Sequence, residues 1–371
     1  MLRTLEHDRR MTNAPEQHFP SDYRAARAAF VAAAEGAGLG ITSRVHPSAK
    51  GRDGKPLFLD TTTIGPREAE KALLLISGTH GVEGYFGSGV QTGLLSEGLA
   101  ARVPEGVQLV MLHAFNPYGF SWDRRVNEDN ADINRNFVDH AHPPSSEAYA
   151  ALADAIAPAD ISPEAMNAAN ARLRAYAEKH GAFALQAAIS TGQYAFPHGI
   201  YYGGARESWS ALMLKDVFRE ELAHVKKLVA IDFHTGLGES GAAEMIVEDA
   251  PGTPTFARAR AMWGARVQST AGGSSLSPPL TGTLDDAVAR LMGEGETTFA
   301  ALEVGTSPAN AVFKALRLDN WLHLHGSPDH PRAAEIKRLI RDTFYPDTAE
   351  WKRAVWRHAH ETVKAALAAI A

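Results

Sequence analysis

Lys71-Ala-Leu-Leu-Leu-Ile-Ser-Gly-Thr-His-Gly-Val-Glu-Gly84 divides into two physically different halves. Ala72 to Ile76 is an unbroken apolar run, long enough for a buried strand and too short for a helix. Ser77-Gly78-Thr79 then breaks the run and presents His80 and Glu83, an H-x-x-E pair, where strand passes into loop. An imidazole and a carboxylate three residues apart reach one cation if the backbone curls between them. Gly78, Gly81 and Gly84 make that curl cheap, because glycine accepts left-handed dihedrals without steric cost. The plainer alternative is an ordinary strand–loop–helix connection with two exposed polar residues. The rest of the chain has to supply a third ligand and the chemistry.

Outward from this stretch, β-rich apolar runs alternate with helical patterns. Strands are expected over 57–64, 72–76, 107–114, 227–233, 243–248 and 297–304. Helices are expected over 21–36, 85–99, 207–224, 254–267, 283–292, 308–325, 331–343 and 348–370, the first capped by Ser21 or Asp22. Gly87, Gly89 and Gly93 suit the helix after the loop to close packing on neighbouring backbone. Residues 138–200 differ: after Pro143-Pro144-Ser145-Ser146, alanine-rich helical segments near 146–157 and 163–189 suggest a helical insertion. It closes in an aromatic, glycine-rich loop over 192–204. Strands alternating with helices predict an α/β domain, with a mixed, mostly parallel sheet flanked by helices and the insertion beside it. No internal repeat interrupts residues 1–371, which read as a single domain.

Composition narrows the function classes. With 371 residues, 45% apolar and 22% charged, the chain has the profile of a soluble globular protein. A net charge of -6 leaves no basic footprint for nucleic acid or an acidic membrane. No apolar run approaches a bilayer span, and Met1 to Pro20 lacks the apolar core of a secretory signal. Met11 offers an alternative start. A cytoplasmic location is therefore expected. Cysteine is absent, which excludes disulfides, thiol nucleophiles and thiolate metal sites, so any metal must be held by His, Asp or Glu.

Several polar residues fall at predicted strand ends, where open α/β sheets bind ligands. His80 and Glu83 follow one strand, His234 ends another, and Glu303 lies near the end of a third, Phe299-Ala-Ala-Leu-Glu-Val304. Between them runs Arg124-Arg-Val-Asn-Glu-Asp-Asn-Ala-Asp-Ile-Asn-Arg-Asn-Phe137. Two His and one Glu form a three-ligand zinc set with a coordination position left for water. A separate carboxylate can take a proton from that water, and arginines can bind an oxyanion or a carboxylate.

Asp132-x-Asn134-Arg135-Asn136-Phe137, downstream of His80-x-x-Glu83, resembles the zinc carboxypeptidase superfamily, which includes aspartoacylase and succinylglutamate desuccinylase. The Gly-Gln-Tyr and Tyr-Tyr-Gly-Gly loop and the Glu-Val-Gly-Thr ending are most similar to a bacterial branch known mainly as a domain of unknown function. The matched motifs run from about residue 73 to 306. The resemblance implies one zinc per chain on His80, Glu83 and His234, Glu303 as general base, and Asp132 orienting a ligand His. It further implies that Asn134 and Arg135 grip a substrate carboxylate and that Arg125, or its neighbour Arg124, polarises the scissile carbonyl. Many carboxypeptidases place a tyrosine over the substrate between the last zinc His and the base, but no tyrosine occurs between Tyr202 and Tyr345. Tyr194 is the first candidate to close the pocket instead, with Tyr201 and Tyr202 behind it.

The function implied is a zinc-dependent amidohydrolase acting beside a free carboxylate on a small molecule or short peptide, similar to an N-acyl amino acid deacylase. A carboxypeptidase on short peptides is the alternative enzyme, and a non-catalytic carboxylate-binding protein the alternative of another class. Plainer roles remain beside these: Asp132 capping a turn, Arg124 and Arg125 as a solvated pair, and the three tyrosines as packing. His323, His325 and His330 read as solvated helix-end residues, and His358 and His360 as part of an amphipathic helix. Gly236-x-Gly-x-x-Gly241 follows a strand but precedes another strand, so it lacks the helix a dinucleotide site requires.

Overall fold

The structure, a computed structural model, describes residues 14–371; the readings of residues 1–13, Met11 among them, lie outside that range. In chain order the elements begin with α1 (Tyr23–Gly36), β1 (Ile41–Lys50), β2 (Pro56–Ile64), β3 (Lys71–Ser77) and α2 (Gly84–Ser96). They continue with β4 (Val107–His113), α3 (Pro117–Ser121), α4 (Glu147–Ile156), α5 (Pro163–His180), α6 (Ala182–Ser190) and α7 (Trp209–Glu221). Next come β5 (Lys227–Leu237), β6 (Ala243–Val247), α8 (Pro254–Trp263), β7 (Val267–Ser269) and α9 (Leu284–Met292). The chain closes with β8 (Glu296–Ser307), α10 (Ala309–Leu324), α11 (Ala333–Phe344) and α12 (Ala349–Ile370).

The strands form one eight-stranded sheet in the order β1-β2-β4-β3-β5-β8-β6-β7. β4, β3, β5 and β8 run parallel at its centre, β6 pairs antiparallel with β8, and β1 and β2 add an antiparallel edge. This is the mixed, mostly parallel α/β sheet that the alternating pattern predicts. Side-chain alternation along each central strand feeds two separate cores. Leu73 and Leu75 of β3, with Val229, Ile231 and Phe233 of β5, pack beneath α1, α2 and α12. Ala72, Leu74 and Ile76, with Leu228 and Ala230, pack beneath α7 and α9 on the opposite face. Because both faces are covered, the central strands read as continuous apolar runs. By the same parity Asp232 and His234 of β5 share the second face, so that face turns polar only at its C-terminal edge.

The glycines around the H-x-x-E loop do different jobs. Gly78 adopts φ +73, the left-handed conformation expected of it. Gly81 is instead a contact point: a Cβ there would lie 2.0 Å from the Gly119 carbonyl carbon. That clearance lets the loop lie on the turn before Arg124, where Gly81 N and Val82 N donate to the carbonyls of Arg125 and Arg124. Sequence reading gave all three glycines a dihedral role, but only Gly78 among them has a positive φ.

Residues 147–190 form three helices with a small core of their own, built on Tyr149, Leu152, Ile156 and Leu173. The expected helix over 163–189 is two, because Gly181 at φ +94 ends α5. The helix expected over 254–267 stops at Trp263, and Val267 to Ser269 pairs with β6 instead. β1 was not anticipated: it is a polar edge strand with a register shift between Val45 and Lys50, so it carries little apolar signal. Among the described residues no helix is long and apolar enough to cross a membrane.

Candidate metal centre and active site

Register brings the polar strand ends together. β3 and β5 pair so that Ser77 lies opposite Phe233, and β5 and β8 pair so that His234 lies opposite Glu303. His80 follows three residues beyond Ser77, and a single 3-10 turn, Gly81–Glu83, swings Glu83 back beneath it. Among the described residues, His80, Glu83 and His234 form the one group able to hold a metal, with ligand atoms all within 4.8 Å of one another.

The two imidazoles are held in matching orientation. His80 Nε2 lies 3.1 Å from Asp132 Oδ1, and His234 Nε2 lies 2.6 Å from Asp232 Oδ2. Ionised carboxylates only accept, so each Nε2 carries the hydrogen and each Nδ1 faces inward. The two Nδ1 atoms are 3.2 Å apart, and Glu83 places one oxygen 3.0 Å from each. Three buried lone-pair donors aimed at one point repel unless a proton or a cation lies among them. His234 shows the proton alternative: burial opposes its charge, but Asp232 and Glu83 more than offset this and raise its pKa well above the usual value. Burial likewise opposes the charge on Glu83, and His80 and His234 hold its carboxyl below the ordinary range. The donor set fits a divalent cation, with imidazoles pre-oriented by carboxylates as metal-ligating histidines usually are.

Asp232 was missed by sequence reading. Its signal was present: a carboxylate inside the apolar run Leu228 to Phe233, two residues before His234 and therefore on the same face of the strand. Thr79 Oγ1 donates to its other oxygen at 2.9 Å. Asp132 combines both roles considered for it. It caps the Ile133–Arg135 turn by accepting from Asn134 N, and it also holds His80 and accepts from Arg125 Nε at 2.9 Å.

Glu303 lines the same cavity, which measures about 120 Å³, and its Oε1 accepts from Leu237 N at 3.2 Å. Burial, reinforced by the charge on Glu83, pushes its pKa up to about 8. Arg125 reaches the centre, with Nη1 3.1 Å from Glu83 Oε1 and its guanidinium over the Tyr201 ring at 5.1 Å. Arg124 points away, into a buried cluster with Asp319 and Asn130, and so has no place at the carbonyl. Neither arginine is a solvated surface residue.

Three other positions depart from expectation. Arg135 lines the cavity, but its guanidinium donates to the backbone carbonyls of Ser190 and Asn134, with no carboxylate in ion-pair contact among the described residues. Burial lowers its pKa, against the opposing charge of Asp132. Asn134 does not line the cavity: its Oδ1 accepts from Leu284 N at 2.8 Å and so caps α9 from outside. Tyr194 is not the pocket tyrosine either, because its hydroxyl donates to Arg135 O at 2.7 Å behind the wall. Tyr201, half-buried and at φ +55, lines the cavity instead, with the guanidiniums of Arg125 and Arg135 5.1 and 5.6 Å from its ring centre. His323 is not solvated, being packed against Trp122, and burial lowers its pKa to about 3.

Three further carboxylates line the cavity with Arg135, none of them selected from the sequence: Glu244, Glu248 and Asp285. Glu244 lies in register with Glu303 on the neighbouring strand. Burial and the charge on Asp286 push Glu248 up to about 7, and burial with Glu248 raises Asp285.

Solved structures with a similar chain trace include thrombin activatable fibrinolysis inhibitor, at 13% identity and a TM-score of 0.46, over 92% of this chain and 74% of that one. Carboxypeptidase A from Helicoverpa armigera is 10% identical at a TM-score of 0.47, over 89% and 77% of the two chains. A succinylglutamate desuccinylase from a Silicibacter species is 19% identical at a TM-score of 0.40, over 78% and 67%. Likenesses this distant leave the chemistry to this chain's own residues. No curated protein matches the chain in sequence. A family model does match, across residues 19–358, and the chain belongs to that family, DUF2817, described as a protein of unknown function.

Proposed function

We propose that the chain is a zinc-dependent amidohydrolase that cleaves an amide bond next to a free carboxylate, in the manner of an N-acyl amino acid deacylase. The observation that carries this reading is the pair of inward Nδ1 atoms, 3.2 Å apart and each fixed from behind by a carboxylate, with Glu303 in register beside His234. His80, Glu83 and His234 would hold the ion. Zinc in such a set supplies Lewis-acid activation of water and of a carbonyl oxygen.

The protein's own groups account for the remaining steps. Glu303, secured by Leu237 N, takes a proton from the attacking water and passes it to the leaving nitrogen. Burial and the charge on Glu83 favour the neutral acid and so assist the second transfer. Arg125 carries positive charge to the edge of the centre, where an oxyanion develops. Arg135 is buried, lines the cavity and donates to backbone carbonyls without a direct ion pair among the described residues, so its guanidinium remains available to a substrate carboxylate. Tyr201 stacks on both arginines and limits their movement.

The test is a screen of zinc-loaded protein against N-acyl amino acids, their C-terminally amidated analogues and dipeptides. Free acids are expected to be cleaved, with amidation costing roughly tenfold to a hundredfold in kcat/KM, as for one charge-assisted contact. Arg135→Ala is expected to narrow that gap. Equal kcat/KM for free and amidated substrates would remove the carboxylate from the reading. No turnover of any amide by fully loaded protein would favour a non-catalytic carboxylate-binding role, and preference for dipeptides a carboxypeptidase.

A further inference from the structure

Beside the catalytic cavity lies a second, larger one of about 1170 Å³, bordered by α5, α6 and α10 and partly open to solvent. The two share a wall made of Gln186, Ser190, Tyr201, Leu237 and Val312, so they adjoin at the pocket tyrosine. The lining of the larger one follows helical spacing. Met166, Leu173 and Ala177 form one stripe of α5, and Leu185 and Ile189 one stripe of α6. Leu173 also belongs to the insertion's own core, against which Leu185 and Ile189 pack, so the packed insertion turns an apolar edge toward a chamber that α10 borders from the other side.

We infer that this chamber binds the long aliphatic acyl chain of the substrate, which makes the deacylase one for long-chain N-acyl amino acids. The inference rests on the proposed amidohydrolase reading and names its acyl group. Volume is the first argument: pockets of about 300–1,000 Å³ already hold a whole drug-sized ligand, so this chamber exceeds the needs of an amino-acid side chain. Polarity is the second. Where the stripes of α5 and α6 line it, a peptide would bury backbone amides against hydrocarbon, at a cost that an alkyl chain does not incur. Charge is the third. The lining includes Arg174, Lys314, Arg317 and Arg332, the last paired with Glu335, and no carboxylate, which disfavours a cationic occupant and tolerates an amphiphile of net negative charge. Arg317 is only 4% exposed, and its guanidinium donates to Asn170 Oδ1 and Ala155 O rather than to an acid. Hydrolysis here adds water across the amide and yields a fatty acid and a free amino acid.

The test pairs kinetics with binding on the zinc-loaded protein. kcat/KM is measured for N-acetyl, N-octanoyl and N-dodecanoyl derivatives of one amino acid, and dodecanoate binding is followed by calorimetry. Each buried methylene is expected to add about threefold to fourfold, so about four buried methylenes give on the order of a hundredfold and burial of all ten added from acetyl to dodecanoyl on the order of 10⁵-fold. Ala177→Trp and Met166→Trp, two independent ways to fill the chamber, are expected to erase the chain-length gain and the dodecanoate heat while leaving the acetyl rate and Tm unchanged. A flat chain-length series together with no dodecanoate binding overturns the inference while leaving the hydrolase reading intact. Dodecanoate binding that Ala177→Trp abolishes, in a protein that cleaves no amide, sustains the chamber and removes the hydrolase.

Discussion

The strand ends and the 124–137 stretch border the same cavity and use their polar atoms in opposite ways. His80, His234 and Glu303 present theirs to the cavity. The 124–137 stretch turns most of its polar atoms onto backbone. Asn130 Nδ2 bonds the carbonyls of Pro197 and Gly199, Asn136 Nδ2 those of Gly203 and Arg206, and Arg135 that of Ser190. Arg124 enters a buried ion cluster instead. Within this stretch, Asp132, Arg125 and Arg135 alone also address the site. A motif that is highly specific in sequence can thus be specific because it ties loops together. Residues gathered at the candidate centre need only the right strand end, whereas residues that hold loops need particular partners.

This contrast breaks first at Glu303. Glu303→Gln is expected to lower kcat by about 10²–10⁴-fold, the usual worth of general acid–base catalysis, while zinc content and Tm stay as in the parent. Near-normal kcat would move the base elsewhere. The anchoring stretch should respond in the opposite sense. Asp319→Ala leaves Arg124 and Lys337 buried without their shared carboxylate. It is expected to cost about 3–5 kcal/mol in urea unfolding, as when one partner of a buried pair is removed. A loss under about 1 kcal/mol would mean that the cluster is solvated.

Sheet-end carboxylates should also carry a stability cost, which Glu248 exposes through pH. Burial raises its folded-state pKa from 4.5 to about 7. Its folded form is therefore unpenalised below pH 4.5, loses stability as pH rises from 4.5 to 7, and is fully penalised above that. Glu248→Gln is expected to match the parent near pH 4 and to exceed it by up to about 3 kcal/mol at pH 8. An equal gain at both pH values would assign the effect to packing. The smallest effect belongs to Asp232. Asp232→Asn is expected to weaken zinc binding about 10–100-fold, read by competition with a chromophoric chelator. Unchanged affinity would confine Asp232 to its hydrogen bond with Thr79.

Much of this was legible in sequence because the central strands are buried on both faces. Runs such as Ala72 to Ile76 and Leu228 to Phe233 announce themselves, and the residues at their ends inherit a common edge. β1 escaped because an edge strand with exposed residues has no such run. Tyr194 and Tyr201 were indistinguishable because loop side chains follow local dihedrals: φ +55 at Tyr201 turns it to the cavity while Tyr194 bonds Arg135 O. Glu244 and Glu248 were passed over because a short strand alternating polar and apolar residues reads as a solvated edge. Glu244 instead pairs with Glu303, and both carboxylates line the cavity.

The most direct test of the central claim is zinc content per chain, measured by elemental analysis after dialysis, for the unmutated protein and for His80→Ala and His234→Ala. The account predicts one zinc in the first and loss of most of it in both variants. Full zinc in both variants, or none in the unmutated protein, would contradict it.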